Sequence, residues 1–460
     1  MSRRSVSPKL PADSTQGAPP SPRPVPWWNR PALDAAVLCA LKVVVSAWIL
    51  RSGFTHISDD DYARTVIAQQ FAHAPRLDPS GTSWLPLPFW VEGSVMGIAG
   101  RSLRVARAVA VSLGAASVAG PYAAMRAVDV PRAPALVGTA VAMILPWNAW
   151  LGVATVPEGW AGALVAASAI AMGSVRARPW AAAALSIASL CRYEAWPACA
   201  VLGAIGSWYA LRGKDARHEA TWSLVALAGP IAWMAWNAHA HGSALHFVAR
   251  VSAFRHAIGA ADIPLRDKLL GYPRALAEET PEAAALGIVG AAGMMASPAL
   301  RARWKWAATT SGAILAFLVW GDVQDGAPTH HPARALAALW WILTGVGVDA
   351  IFVFVWRWTC ERSVWRIGLS CAGAAVGVAW CAGLPLRWDA SPGRSESELR
   401  DVQVARGLDM RARGVASASI TPCSFEHFAL LAAWGAPENA EVRKRTGEPP
   451  TDACPSVVER

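Results

Sequence analysis

The chain has 460 residues, of which 54% are hydrophobic and 16% charged, with 25 Trp and a net charge of +10. That balance excludes an ordinary soluble domain and fits a multi-span membrane protein. The positive charge gathers beside apolar runs, so it speaks for membrane orientation and anionic lipid and against nucleic acid as a partner.

Residues 1–30, rich in Pro, Ser and Arg with no apolar core, read as a disordered cytoplasmic arm and not as a signal peptide. A helical span needs about 20 mainly apolar residues. Such runs lie at 32–50, 105–125, 133–151, 157–175, 179–193, 195–211, 221–239, 283–300, 306–321, 335–356 and 367–386. They predict an all-α polytopic membrane protein with about 11 transmembrane helices over 31–387. If these spans alternate, the basic residues of the arm, Arg126 with Arg132, Arg176 with Arg178, Arg212 to Arg217, Arg301 to Lys305 and Arg357 to Arg366 share the cytoplasmic side. The loops 51–104, 240–282 and 322–334 and the C-terminal tail then face the extracytoplasmic side of the cell membrane. Arg101, Arg104, Arg107, Arg250, Arg255, Arg266, Lys268 and Arg274 run against that rule, and anionic lipid phosphate would account for them.

The first outer loop, 51–104, opens with His56-Ile-Ser-Asp-Asp-Asp-Tyr62. Carboxylates at a membrane boundary suit a base or an ion site. Asp59, Asp60 and Asp61 equally suit the charged start of a surface helix over 61–73. Adjacent carboxylates repel, which predicts a raised pKa for one of them. Downstream, the run 84–100 is read as an amphipathic or re-entrant piece, because Pro86 and Pro88 interrupt it.

Glu158 follows Pro157 at the entrance to a span, as a helix-start carboxylate or a substrate contact. Arg192 and Glu194 sit inside apolar sequence, where an unpaired charge costs about 2.5–3.5 kcal/mol. They need partners: Arg192 binds an anionic group that Glu194 helps orient, or the two form a structural ion pair. In the 240–282 loop, His239, His241, His246, Arg250, Arg255 and His256 predict one basic face of an interfacial helix over 243–258. His330, His331 and Arg334 follow Asp322 and Asp325. A guanidinium there can grip a phosphate bidentately, and a neighbouring His can donate to it. Headgroup anchoring is the plainer role, and metal binding by His and Asp a third, although the spacing matches no zinc signature. Residues 388–460 are polar and predict a small extracytoplasmic α/β appendage with a Cys423–Cys454 disulfide. No phosphate-binding Gly loop, Gly-x-Ser-x-Gly or Cys-x-x-Cys occurs, so nucleotide-sugar use is unsupported.

From residue 32 to about 390 the order of these pieces resembles the GT-C superfamily of integral-membrane glycosyltransferases, with its protein O-mannosyltransferase-like and GPI-mannosyltransferase-like branches. Asp60-Asp61-Tyr62 resembles the family's Asp-Asp/Glu-Tyr element, and Trp84-Leu-Pro-Leu-Pro-Phe-Trp90 its Pro- and Trp-rich piece. Pro157-Glu158 is similar to a short outer-face motif, Arg192-Tyr-Glu194 with Trp196 to an Arg-Tyr-Glu-x-Trp string, and His330-His-Pro-Ala-Arg334 to a late His-x-x-x-Arg element. The resemblance implies transfer of a monosaccharide, mannose or another hexose, from a polyprenyl-phosphate carrier to a hydroxyl of a lipid, glycan or protein. It implies Asp60 as general base, Asp59 or Asp61 holding the acceptor or a divalent cation, and inversion at the anomeric carbon. Arg192, Glu194, His330, His331, Arg334 and Glu158 would then surround the carrier phosphate. The alternative is a polytopic transporter or flippase for an anionic lipid-linked or small solute. Transporters often show duplicated halves with helices broken at matching places, a pattern not seen in this sequence.

Overall fold

A computed structural model of the chain describes residues 31–213, 216–257, 259, 263–326, 331–360, 363–443 and 455–459. Apolar sequence must satisfy its backbone hydrogen bonds internally, and nearly all of it does so as α-helix. The first half contains α1 (Pro31–Arg51), α2 (Asp60–His73), α3 (Leu87–Ala99), α4 (Leu103–Ser117), α5 (Ala119–Ala127), α6 (Arg132–Ile144), α7 (Pro146–Leu151), α8 (Glu158–Ala171), α9 (Arg178–Ser189) and α10 (Trp196–Leu211). The second half contains α11 (Ala216–His241), α12 (His246–Ala257), α13 (Leu265–Glu279), α14 (Pro281–Ala296), α15 (Pro298–Val323), α16 (Ala337–Cys360), α17 (Ser363–Asp389), α18 (Ser397–Ala412) and α19 (His427–Trp434).

A helix lies over each apolar run, but among the described residues only four stretches are long and apolar enough to cross a bilayer. They are Pro31–Arg51, Leu103–Ala127, Pro298–Val323 and Pro332–Val355. The expected 11 spans are not shown; several of the remaining apolar runs form short helices, such as α6, α8 and α14, of 13, 14 and 16 residues. The break between α6 and α7 shows how this is tolerated. Pro146 has no N–H to offer the Ala142 carbonyl, and Asn148 Nδ2 donates to it instead at 2.8 Å. Lys42, buried within α1, donates from Nζ to the carbonyls of Met143 (3.2 Å) and Asn148 (2.6 Å). Gly152 leaves room for that lysine, since a Cβ there would overlap Lys42 Cε. Close helix packing also relies on small residues: Gly287 and Gly290 of α14 face Leu343 and Val346 of α16.

Two sequence expectations around the first loop need correction. Helix α2 is not a surface helix, for Tyr62, Ala63, Arg64, Thr65, Val66, Ala68 and Gln69 are all buried. Pro86 and Pro88 do not interrupt the 84–100 run but stand at the start of α3, where a missing N–H costs nothing. In α12 Arg250 and His256 are exposed, while Arg255 is buried and pairs with Asp322 at 2.6 Å.

The C-terminal region is a small α/β unit. Strands β1 (Ala418–Thr421), β2 (Ala440–Val442) and β3 (Ser456–Glu459) form a sheet ordered β2-β1-β3, with β1 parallel to β2 and antiparallel to β3. It is too small to bury much by itself and borrows apolar surface from α2. Tyr62 and Val66 join Met410, Ile420, Leu430 and Trp434 in one core. Gln69 Nε2 fixes the arrangement by donating to the Ala432 carbonyl at 2.8 Å. Cys423 is disulfide-bonded; its expected partner Cys454 lies outside the described residues.

Candidate functional site

The three adjacent aspartates face three different environments. Asp61, 1% exposed, starts α2 and accepts from backbone amides: Ile57 N at 3.1 Å, Ser58 N at 3.4 Å and Thr155 N at 3.0 Å. Thr155 Oγ1 returns a hydrogen bond to the Asp61 carbonyl at 2.7 Å. Asp61 therefore pins its loop to the turn before α8. Asp59 takes a two-pronged grip from Arg400 of α18, with Nε to Oδ1 at 2.6 Å and Nη2 to Oδ2 at 2.9 Å. Both carboxylates are engaged by the protein. Among the described residues no group of three or more His, Cys, Asp and Glu is placed to hold a metal ion.

Asp60 alone looks into a charged cluster. Its side chain is 30% exposed, and Oδ2 receives Nη1 of Arg334 at 2.9 Å. Arg334 Nη1 also donates to Ser58 Oγ at 3.0 Å, while Nε and Nη2 reach Glu158 Oε1 at 3.1 and 2.6 Å. Glu158 Oε1 is shared with Arg192 Nη1 at 2.9 Å, and Arg192 in turn holds Glu194 through Nε at 3.0 Å and Nη2 at 2.5 Å. Four segments far apart in sequence thus meet in one ion-pair chain, Asp60–Arg334–Glu158–Arg192–Glu194. Beside it lies a small crevice lined by Glu158, Arg192, Glu194, Arg334 and small residues of α8 and α16.

Local structure explains each placement. Arg192 precedes a 3-10 turn, Tyr193–Ala195, that leads into α10. Tyr193 fastens this turn to the Trp84 segment by donating to Ser83 O at 2.9 Å, and accepts from Trp233 Nε1 at 3.1 Å. Glu158 begins α8 directly after Pro157, so its carboxylate sits at the positive end of the helix. Arg334 lies in a 3-10 turn, Pro332–Leu336, entered through His331 in the left-handed region at φ 51°.

Burial works against ionisation of Asp60, but the Arg334 and Arg64 guanidiniums outweigh it and hold the carboxyl below the ordinary aspartate range. The raised acid expected from crowding in the triplet is therefore not Asp60. The His331 ring lies 6.0 Å from that of Trp147, and its carbonyl accepts from Arg334 N at 3.0 Å. His330 lies outside the described residues. Asp322 and Asp325 pair with Arg255 and Lys268, at 2.6 and 2.7 Å. Arg101 pairs with Glu438 at 2.6 Å, and Arg107 donates to the Val153 and Thr55 carbonyls, so neither needs a lipid phosphate.

Two site residues escaped the sequence reading. Arg64 lies one helical turn beyond Asp60, and the i, i+4 spacing on α2 was a usable signal. Arg400 carried no such signal, since Asp59 is 341 residues away. Compared with known protein families and with curated proteins, the chain matches neither a family nor a curated protein.

Proposed function

We propose that this ion-pair chain is the catalytic centre of a membrane glycosyltransferase of GT-C type, acting at the extracytoplasmic face on a polyprenyl-phosphate-linked hexose. The observation that carries the reading is the meeting of Asp60 with Arg334, Glu158 and Arg192 beside a crevice. Four apolar helices of spanning length support a membrane setting, and the distribution of basic residues between apolar runs supports the orientation.

In the reaction, an acceptor hydroxyl gives its proton to the Asp60 carboxylate as its oxygen bonds to the anomeric carbon. The bond from that carbon to the phosphate oxygen breaks, and polyprenyl phosphate leaves with the bonding electrons. Attack opposite the leaving group inverts the anomeric centre. Asp60 is ionised at neutral pH because its neighbours are cationic, and the incoming acceptor must displace its bond to Arg334 before it can take a proton. Guanidinium groups stabilise the charge that develops on the departing phosphate.

The test is to incubate the purified protein in lipid nanodiscs with labelled polyprenyl-phosphate hexoses, mannose first, and candidate acceptors. Release of polyprenyl phosphate together with a glycosylated acceptor is expected. Intact donor carried across a vesicle bilayer, with none consumed, would contradict transfer and favour a transporter.

A further inference from the structure

Arg192 and Arg334, the guanidiniums expected to hold the carrier phosphate, spend their donors on the protein. Arg334 gives Nε and Nη2 to Glu158 and Nη1 to Asp60 and Ser58. Arg192 gives Nε and Nη2 to Glu194 and Nη1 to Glu158. An anion arriving at either would share the guanidinium with protein oxygens already bonded to each of its nitrogens.

Arg64 differs. It is 2% exposed, yet its Nε and Nη1 are buried without a hydrogen-bond partner. The face of its guanidinium lies 4.4 Å from the Trp84 ring centroid, with Phe89 at 5.7 Å. Stacking fixes the plane and leaves the edge, where the N–H groups are, for another partner. Asp60 and Glu158 are close enough for their charges to act on it; Asp60 bonds to Arg334, and Glu158 gives Oε1 to Arg334 and Arg192 while its Oε2 is buried without a hydrogen-bond partner. A buried guanidinium with unpaired N–H groups is costly, and a charged oxygen acceptor recovers that cost. Burial lowers Arg64 only to about 10, so it remains a cation at neutral pH.

We propose that Arg64 is the residue that binds the phosphate of the lipid-linked donor, with Trp84 holding the guanidinium plane and Nε and Nη1 presented to two phosphate oxygens. This deepens the transferase reading and rests on it. Asp60 and Arg64 stand one turn apart on α2, so a single rigid helix would carry both the base and the anchor of the leaving group. Arg192 and Arg334 then act as positioning residues, which set Glu158 and Asp60 around the sugar.

The experiment titrates the full chain, in phosphatidylcholine nanodiscs, with farnesyl phosphate and with farnesol as the uncharged control. Wild type is expected to bind the phosphate and not the alcohol. Arg64→Gln should weaken phosphate binding by about tenfold or more, and Arg64→Lys, which keeps the charge but not the fork, by a smaller factor. Melting temperatures recorded alongside show whether each variant is folded. If the Gln variant unfolds, the Lys variant carries the test, and wild-type affinity there would overturn the proposal. Equal binding of phosphate and alcohol by wild type, or wild-type phosphate affinity in folded Arg64→Gln, would overturn it as well. Phosphate binding that depends on Arg64 in a protein that transfers no sugar would keep the anion site and remove the transferase reading. Sugar transfer with unchanged phosphate binding in Arg64→Gln would do the reverse.

Discussion

Asp59, Asp60 and Asp61 follow one another in the chain, yet each carboxylate has a separate task set by what surrounds it. Asp61 is saturated by backbone amides, Asp59 by Arg400, and Asp60 stays partly exposed beside Arg334. Removing the Asp59 grip should therefore act on folding. We expect Asp59→Asn to cost about 1–3 kcal/mol of stability, as for loss of a charge-assisted bond in a half-buried setting, measured by thermal unfolding. His56, buried just before the triplet, gives a pH signature. Burial lowers its pKa, against the opposing pull of the Asp61 and Asp59 charges, so the unfolded chain takes up this proton before the folded one does. Stability should be flat above about pH 6.5 and fall as pH drops below that value, and His56→Gln should flatten the slope. Asp60, also lowered, adds its own loss only as pH falls below 3.8 toward its folded value. A melting series from pH 8 to pH 5 that showed no His56-dependent slope would contradict this.

At the scale of elements, apolar runs made the helices legible, and the polar C-terminal stretch made the α/β appendage legible. The breaks were harder to read. Nothing local to Pro146 announces that Lys42, more than one hundred residues earlier, will donate to the carbonyls on either side of it. Lys42→Met should leave the Met143 and Asn148 carbonyls without that donor and destabilise the protein by about 1–3 kcal/mol, read as a lower melting temperature in nanodiscs. Helix packing gives a second prediction. A Cβ on Gly347 would overlap the Leu286 carbonyl, so Gly347→Ala should force α16 away from α14 at a cost of about 1–3 kcal/mol. A wild-type melting temperature would show that the two helices do not pack this closely.

At the scale of the whole molecule, the site depends on parts that the sequence lists far apart. The charged residue types at 60, 158, 192, 194 and 334 were legible because ionisable groups are rare and costly in apolar surroundings. Which carboxylate pairs with which cation was not, since pairing is decided by tertiary packing that leaves no local period or spacing. The appendage belongs to the same argument: its core includes Tyr62 and Val66, and its Arg400 holds Asp59, so the C-terminal unit braces the helix that carries Asp60 and Arg64. Cutting the chain before α18 should therefore abolish activity as well as stability, although the crevice residues all remain.

The most direct measurement is the single-turnover rate of sugar transfer by wild type and by Asp60→Asn, with circular dichroism and melting temperature recorded on both. The account predicts a properly folded Asn variant slower by about 10²–10⁴-fold, the usual contribution of a positioned general base. A folded Asp60→Asn protein that transfers sugar at the wild-type rate would contradict it.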